Sequence, residues 1–464
     1  MRLRITNGLL RSGYTSARCR QRVIPRLFSS RAGLQQQAAS IQQQYVGEQA
    51  RFPGAEGATF TTSLKFLNPK ELGTIPCYRV MDTEGKIVDE SYQRDFSDKE
   101  ATKMYGTMVA TSIMDLIMLD AQRQGRISFY MVSAGEEAIT VGSASALEPN
   151  DPVFAQYREQ GVFLQRGFGF TNIMAQLFGT KNDNGRGRNM PVHYGSAKHH
   201  IHTIGSTLAT QLPQASGAAY AVKMQRLQNP NLPPRIVVGF FGEGAASEGD
   251  FHAALNIAAT RQCPVLFICR NNGFAISTPT VDQYRGDGIA SRGPGYGIDT
   301  IRVDGNDILA MREATKRARQ ICLGQYPGGE EKTKPVLMEA MSYRVSHHST
   351  SDDSFAYRAR VEVEDWKRRD NPITRFRKYL ESQSLWDESR EKELRTRVRK
   401  EILKAFNEAD REKKPPIRSM FEDVYEEMTP EIKAQMEELR RLVERYPDEY
   451  DVSEYEGGLE SLKS

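Results

Sequence analysis

Arg235-Ile236-Val237-Val238-Gly239-Phe240-Phe241-Gly242-Glu243-Gly244-Ala245-Ala246-Ser247-Glu248-Gly249-Asp250 is the stretch whose reading decides the fold. Ile236 to Phe241 is a continuous apolar run, which reads as a strand buried on both faces. A glycine-rich loop follows, then a helix expected from Ser247 to Thr260, then a second buried strand from Pro264 to Cys269. The theme repeats as a strand from Ile298 to Val303, a helix from Asp307 to Cys322 and a strand from Pro335 to Tyr343. Apolar strands separated by helices predict an α/β fold, a doubly wound and mostly parallel sheet covered on both faces. Ligands bind such sheets outside the carboxyl ends of the strands, so the loops after Phe241, Cys269 and Tyr343 are where a site is expected.

The flanks read differently. Residues 97–345 form the α/β domain, opened by a helix from Ser97 to Ala121 with a capping box at Ser97-Asp98-Lys99-Glu100 and an apolar face of Met104, Met108, Ile113, Leu116 and Ile117. Residues 29–96 are an aperiodic N-terminal arm, Gln-rich at 35–44 and interrupted at Phe52-Pro53-Gly54 and Pro69, expected to wrap a partner. Residues 346–361 form a polar loop, and residues 362–464 a charged C-terminal helical region expected to be a solvated appendage.

The first 28 residues hold seven arginines, no lysine and no acid, and the first acidic residue is Glu48. That composition is a mitochondrial transit peptide, with Arg26-Leu27-Phe28-Ser29-Ser30 as its cleavage region, and it predicts a matrix protein. Without it the net charge of +4 becomes −3, 56 basic against 59 acidic residues, so the basicity is not a nucleic-acid footprint. With 464 residues, 39% hydrophobic and 26% charged, no run reaches the length that inserts in a bilayer, and no disulfide scaffold is needed. Cys19, Cys77, Cys263, Cys269 and Cys322 include no Cys-x-x-Cys pair and read as reduced thiols.

The glycine loop pairs with Arg270-Asn271-Asn272-Gly273-Phe274, and Gly242 to Asn272 spans 31 residues, one strand-end, helix and strand unit. Both loops should therefore emerge side by side. Glycines let a backbone approach an anion, the helix beginning near Ser247 points amides at it, and Glu243 and Asn272 offer hard oxygens suited to magnesium. A dinucleotide fingerprint would need Gly or Ala at Ser247, and a Walker loop would need Lys at Asp250. His199-His200-Ile201-His202 lacks a matching ligand set and reads as solvated loop histidines, while His193 reads as local packing.

Gly-Glu-Gly followed by Asn-Asn at the end of the next strand resembles the thiamine diphosphate signature. From about Phe52 onward the chain is similar to the alpha subunits of branched-chain 2-oxo acid dehydrogenases. The supporting stretches are Arg126 to Tyr130, Gln156 to Glu159, Met190 to Gly195, Tyr284 to Gly288 and His347 to Asp353. Pyruvate dehydrogenase alpha subunits share the plan, but usually carry Asp in the glycine loop and Glu before Asn-Asn, where this chain has Glu243 and Arg270.

The resemblance implies that Tyr157, Arg158, Ser206, Gly244, Ala245, Arg270 and His348 contact thiamine diphosphate, with Leu208 supporting its bent form. Arg158, Arg270 and His348 would be charge-assisted donors around the diphosphate. It implies magnesium on Glu243, Asn272 and the carbonyl of Phe274, and a structural potassium ion on Gly205, Thr207, Thr210 and Gln211. Relatives commonly carry Ser and Pro at the positions of Gly205 and Thr207, where the ligands are carbonyls. His348 would stabilise or protonate intermediates, with Ser206 and Tyr157 on the substrate side. The resemblance places the activating glutamate on a beta subunit, giving an alpha2–beta2 tetramer that acylates the lipoyl arm of an acyltransferase core. Ser349 matches a serine phosphorylated by a regulatory kinase, and Ala359 stands where relatives have a second one. A pyruvate enzyme and a non-catalytic nucleotide-binding or scaffold protein are the competing functions.

Overall fold

Alternate residues of the central strands feed two different cores. The computed structural model describes Gly54 and residues 58–463, so the expected transit peptide, Cys19 and residues 29–53 and 55–57 of the arm lie outside the described residues. The chain divides into two units, Met1–Leu72 and Gly73–Ser464. In the first, residues 58–72 are all exposed and hold one turn of 3-10 helix, Pro69–Glu71, capped by Asn68.

The second unit is built on strands β1 (Cys77–Tyr78), β2 (Val153–Phe154), β3 (Ile201–His202), β4 (Val237–Gly242) and β5 (Val265–Asn271). A hairpin, β6 (Phe274–Ala275) with β7 (Thr278–Pro279), stands apart, and β8 (Asp299–Asp304) and β9 (Val336–Met341) complete the set. Seven strands form one sheet in the order β1-β8-β9-β5-β4-β2-β3, and every pair in it is parallel. Besides a four-residue helical turn at Thr280–Gln283, the helices are α1 (Asp98–Arg123), α2 (Glu137–Ser145), α3 (Gln160–Gln165), α4 (Phe170–Phe178), α5 (Gln211–Gln228), α6 (Gly249–Arg261) and α7 (Ile308–Cys322). The C-terminal region adds α8 (Arg360–Arg369), α9 (Pro372–Ser382), α10 (Glu388–Arg411) and α11 (Pro430–Arg445). On one face Val238, Phe240, Leu266, Ile268, Val336 and Met338 join the core under α1, α2 and α7. On the other, Val237, Phe241, Val265, Phe267, Cys269 and Leu337 join the core under α5 and α6. This is why those strands read as continuous apolar runs.

The capping box of α1 is present, with Glu100 N on Ser97 Oγ at 3.2 Å and Ser97 N on Glu100 Oε2 at 2.9 Å. Its apolar face differs from the expected one. Met104, Met108 and Ile113 are buried, but Leu116 is 64% exposed and the stripe continues through Met114, Asp115 and Met118. Asp115 is tolerated inside because its carboxylate accepts from Tyr130 Oη at 2.8 Å, Ser133 N at 2.6 Å and Ser133 Oγ at 2.8 Å.

The C-terminal region corrects a second expectation. Phe376 and Leu380 of α9 and Ile402 of α10 are fully buried in the first core, so these helices are structural partners of α1 and not a solvated appendage. Glu391 accepts from both Tyr105 Oη and Trp386 Nε1 at 2.8 Å. Arg375, 2% exposed, reaches Asp304 at the end of β8 at 2.9 Å. The expectation holds for α11, whose one buried residue is Val443.

Candidate active site

The register of β4 on β5 pairs Gly242 with Arg270, so the glycine loop and the Asn-Asn loop leave the sheet together at its carboxyl edge. They open on a cavity of about 730 Å³ lined by Glu243, Gly244, Ala245, Arg270, Asn272 and Phe274. Tyr157 and Arg158 enter from the loop after β2, Ser206 and Leu208 from the loop before α5, and His348 and Ser349 from the loop after β9. Twelve residues from five separate parts of the sequence thus face one space. Gly205, Thr207, Thr210 and Gln211 lie on the neighbouring turn into α5, outside that lining. There Thr210 Oγ1 donates to the Thr207 carbonyl at 2.9 Å and Gln211 Nε2 to the Phe240 carbonyl at 2.8 Å.

The glycine loop differs locally from the expectation. Gly244–Ser247 is a 3-10 turn, and α6 starts at Gly249 after the cap Glu248, so it is the 3-10 turn, not the helix terminus, that borders the cavity. Gly244 is required by packing: a Cβ there would stand 2.7 Å from Ala275 Cβ on β6.

Glu243 is 2% exposed, and its Oε1 is a buried oxygen with no hydrogen-bond partner. Desolvation pushes its carboxyl up to about 7, with the Glu136 charge adding to the rise. Its other oxygen lies 3.4 Å from Asn272 N. A buried unpaired carboxylate oxygen is costly, and a cation beside it removes that cost. Asn272 Nδ2 donates to Glu136 Oε1 at 2.7 Å, which leaves Oδ1 as the acceptor atom, with one lone pair taken by Phe274 N at 3.3 Å and one for a cation. The carbonyl of Phe274 is shared, with Arg344 Nη1 at 3.4 Å. One carboxylate, one oriented amide and one carbonyl are an oxygen set that fits magnesium. Among the described residues no three His, Cys, Asp or Glu side chains converge as a metal site.

Arg270 departs from the free donor that was expected. Its Nη1 pairs with Glu136, its Nε with Glu159, and its Nη2 lies 3.4 Å from Gln156 Oε1, all within a buried cluster. Three of its five N–H groups are thereby engaged, and two remain for the cavity. Arg158, 3% exposed, donates to the carbonyls of Val132 and His348. Burial, then the charges of Arg158 and Arg344, lower the His348 imidazole to about 3, so it is neutral. Its backbone is held by Asp352, which accepts from His348 N and Tyr357 Oη at 2.7 Å each.

Sequence reasoning missed Glu136, which touches both Arg270 and Asn272; two adjacent acids at the head of the apolar helix α2 were the available signal. It also gave His193 no role, yet this residue lines the cavity with its Nε2 2.7 Å from Ser206 Oγ. The histidine run is less loop-like than expected, because Ile201–His202 is the edge strand β3, His202 stacks on Phe154 at 4.4 Å and His199 bonds Ser196 Oγ at 2.9 Å.

Residues 105–418 match the family described as the dehydrogenase E1 component. The mouse protein named 2-oxoisovalerate dehydrogenase subunit alpha, mitochondrial, is 50% identical over 417 residues, 89% of this chain and 91% of its own. The Caenorhabditis elegans protein of the same name is 49% identical over 415 residues, 89% of this chain and 92% of its own. The Arabidopsis thaliana subunit alpha 2 is 45% identical over 432 residues, 93% and 89% of the two chains.

Proposed function

The chain belongs to the dehydrogenase E1 component family, and from that premise we propose that it is the alpha subunit of a mitochondrial thiamine diphosphate-dependent enzyme that oxidatively decarboxylates the 2-oxo acids of valine, leucine and isoleucine. It passes the acyl group to a lipoyl arm and so acts as an oxidoreductase in branched-chain amino acid breakdown. The observation that carries the reading is the unpaired buried oxygen of Glu243, set beside Asn272 at the junction of the two loops.

In this reading Glu243, Asn272 and the Phe274 carbonyl would hold magnesium, and the backbone of Gly244 and Ala245, which lines the cavity, would take the diphosphate. Bound thiamine diphosphate supplies the nucleophilic carbon and the electron sink for decarboxylation. Arg158 and the two unengaged N–H groups of Arg270 offset the anion. His348, held neutral beside Tyr157, presents an N–H to charge developing on the substrate oxygen without a full charge of its own. The Gly205–Gln211 turn, which places Ser206 and Leu208, is the proposed potassium loop.

A beta subunit completes the site in an alpha2–beta2 tetramer. The only carboxylates among the described lining residues are Glu243 and Asp352, the first assigned to metal and the second bonded to Tyr357 and His348 N. Neither is free to activate the aminopyrimidine. Leu208 and Ile276 at the cavity are 36% and 53% exposed in this chain, apolar surface suited to a covering partner. Ser349 lines the same cavity, so a phosphate there would place about two negative charges beside the anion. Native protein whose Ser349 stays unmodified in every nutrient state would remove that regulation.

The test is decarboxylation of 3-methyl-2-oxobutanoate with and without the beta partner, in thiamine diphosphate, magnesium and potassium. Activity confined to the complex, lost in Glu243→Ala and greater than with pyruvate, is expected. Preference for pyruvate would change the substrate assignment, and an intact complex that takes up no cofactor would overturn the reading.

A further inference from the structure

We propose that His193 is a positioning residue that turns the Ser206 hydroxyl into a hydrogen-bond acceptor facing the cavity. The role in catalysis rests on the function proposed above; the geometry of the pair does not. His193 is 4% exposed, with Nδ1 3.0 Å from the Pro191 carbonyl and Nε2 2.7 Å from Ser206 Oγ. A carbonyl only accepts, so Nδ1 carries a hydrogen, and in a ring with a single hydrogen Nε2 then carries the lone pair. Ser206 must then give its single proton to Nε2. Its own lone pairs are left for the cavity, where they fit a ligand N–H or O–H and offer nothing to a diphosphate or carboxylate oxygen.

The ring is held there by a built device. Val192, β-branched, adopts a φ of +68°, a conformation such residues rarely accept. Gln176 on α4, 3% exposed, clamps the segment from both sides, its Nε2 on the Met190 carbonyl at 2.8 Å and its Oε1 on Val192 N at 2.9 Å. Strain maintained by a buried amide next to a cavity-lining histidine marks a position where the ring direction matters. The serine side shows the same feature, since Ala209 at the end of the Ser206 turn has a φ of +65°.

The test uses the complex assembled with its beta partner, in wild type, His193→Ala, Ser206→Ala, the double variant and His193→Gln, whose amide oxygen restores an acceptor. Loss of one neutral hydrogen bond, about 1 kcal/mol, predicts thiamine diphosphate affinity about fivefold weaker by calorimetry in each single variant. The double variant should be no weaker than either, kcat should follow the same pattern with KM for the oxo acid little changed, and His193→Gln should recover most of the loss. Independent effects that multiply to about 25-fold in the double variant would overturn the proposal. The tautomer is read separately in cofactor-free complex by nitrogen-15 NMR of labelled histidine, assigned by the signal missing in His193→Gln. A bare Nε2 that shifts in Ser206→Ala is expected, and a protonated Nε2 would overturn the proposal whatever the cofactor titrations give. If wild type takes up no thiamine diphosphate, the reading of the site falls, and the nitrogen spectra still decide the pair.

Discussion

Asn272 and Glu136 meet across 136 residues of sequence, the amide Nδ2 donating to Glu136 Oε1 at 2.7 Å, while the other oxygen of the same carboxylate pairs with Arg270. One buried acid therefore orients a candidate metal ligand and neutralises the cation next to it. Glu136→Gln keeps the acceptor for Asn272 but leaves Arg270 with one carboxylate. Partners of this kind tune metal affinity by about 10–100-fold, and a loss in that range is expected when magnesium is titrated calorimetrically with thiamine diphosphate present. Unchanged affinity would mean that Glu136 does not support the site.

Glu243→Gln should separate stability from function. The substitution removes a buried carboxylate oxygen without a partner, so the cofactor-free protein should melt no lower than wild type. With cofactor and magnesium at 100 times Kd, wild type should gain about 2.7 kcal/mol and the variant almost none, read as the shift in Tm. A full cofactor shift in the variant would take Glu243 out of the metal site.

Gly244→Ala should act through a clash. The added Cβ would meet Ala275 Cβ at 2.7 Å, two short atoms with no rotation to escape, so the turn or the β6 hairpin must move. A loss of about 1–3 kcal/mol is expected on denaturant unfolding, together with weaker cofactor binding. Gly249→Ala is the control, since its Cβ would meet nothing within 4 Å.

Glu137 predicts a pH dependence. It is 3% exposed, and burial raises its carboxyl to about 8, with the Asp115 charge adding to the rise. A raised carboxyl favours the folded state when protonated, so its contribution is complete below about 4.5 and is lost as pH rises through 8, by up to about 1.4 kcal/mol per pH unit. Urea midpoints of the cofactor-free assembly should fall between pH 6 and 8.5, and Glu137→Gln, which cannot ionise, should make that slope shallower, with the Glu243 share remaining. Parallel slopes in the two proteins would contradict the assignment.

The sheet was legible because β4, β5 and β9 are buried on two faces and so write themselves as apolar runs between helices. The cavity was legible where chemistry depends on residue type at one loop, as with Glu243 and Asn272. What escaped was what depends on a distant partner. Asp115 broke the apolar stripe of α1 because its stabilising donors, Tyr130 and Ser133, are not periodic with it, and Leu116 took its place in the reading. Arg270 read as free charge because nothing local announces Glu136 and Glu159. The helices α9 and α10 read as solvated because their many charges hide narrow apolar faces such as Leu394, Val398 and Ile402.

Those two helices also set the order in which the chain can become a protein. Tyr105 lies near the start of the globular unit, and the carboxylate that satisfies it, Glu391, arrives 286 residues later. Until α10 has emerged, whether from a ribosome or from a translocation channel, the part of α1 that packs on it stays uncovered. The nascent chain is therefore committed to a long sticky interval, and its yield in any host should depend on chaperone supply more than on the strength of the finished fold.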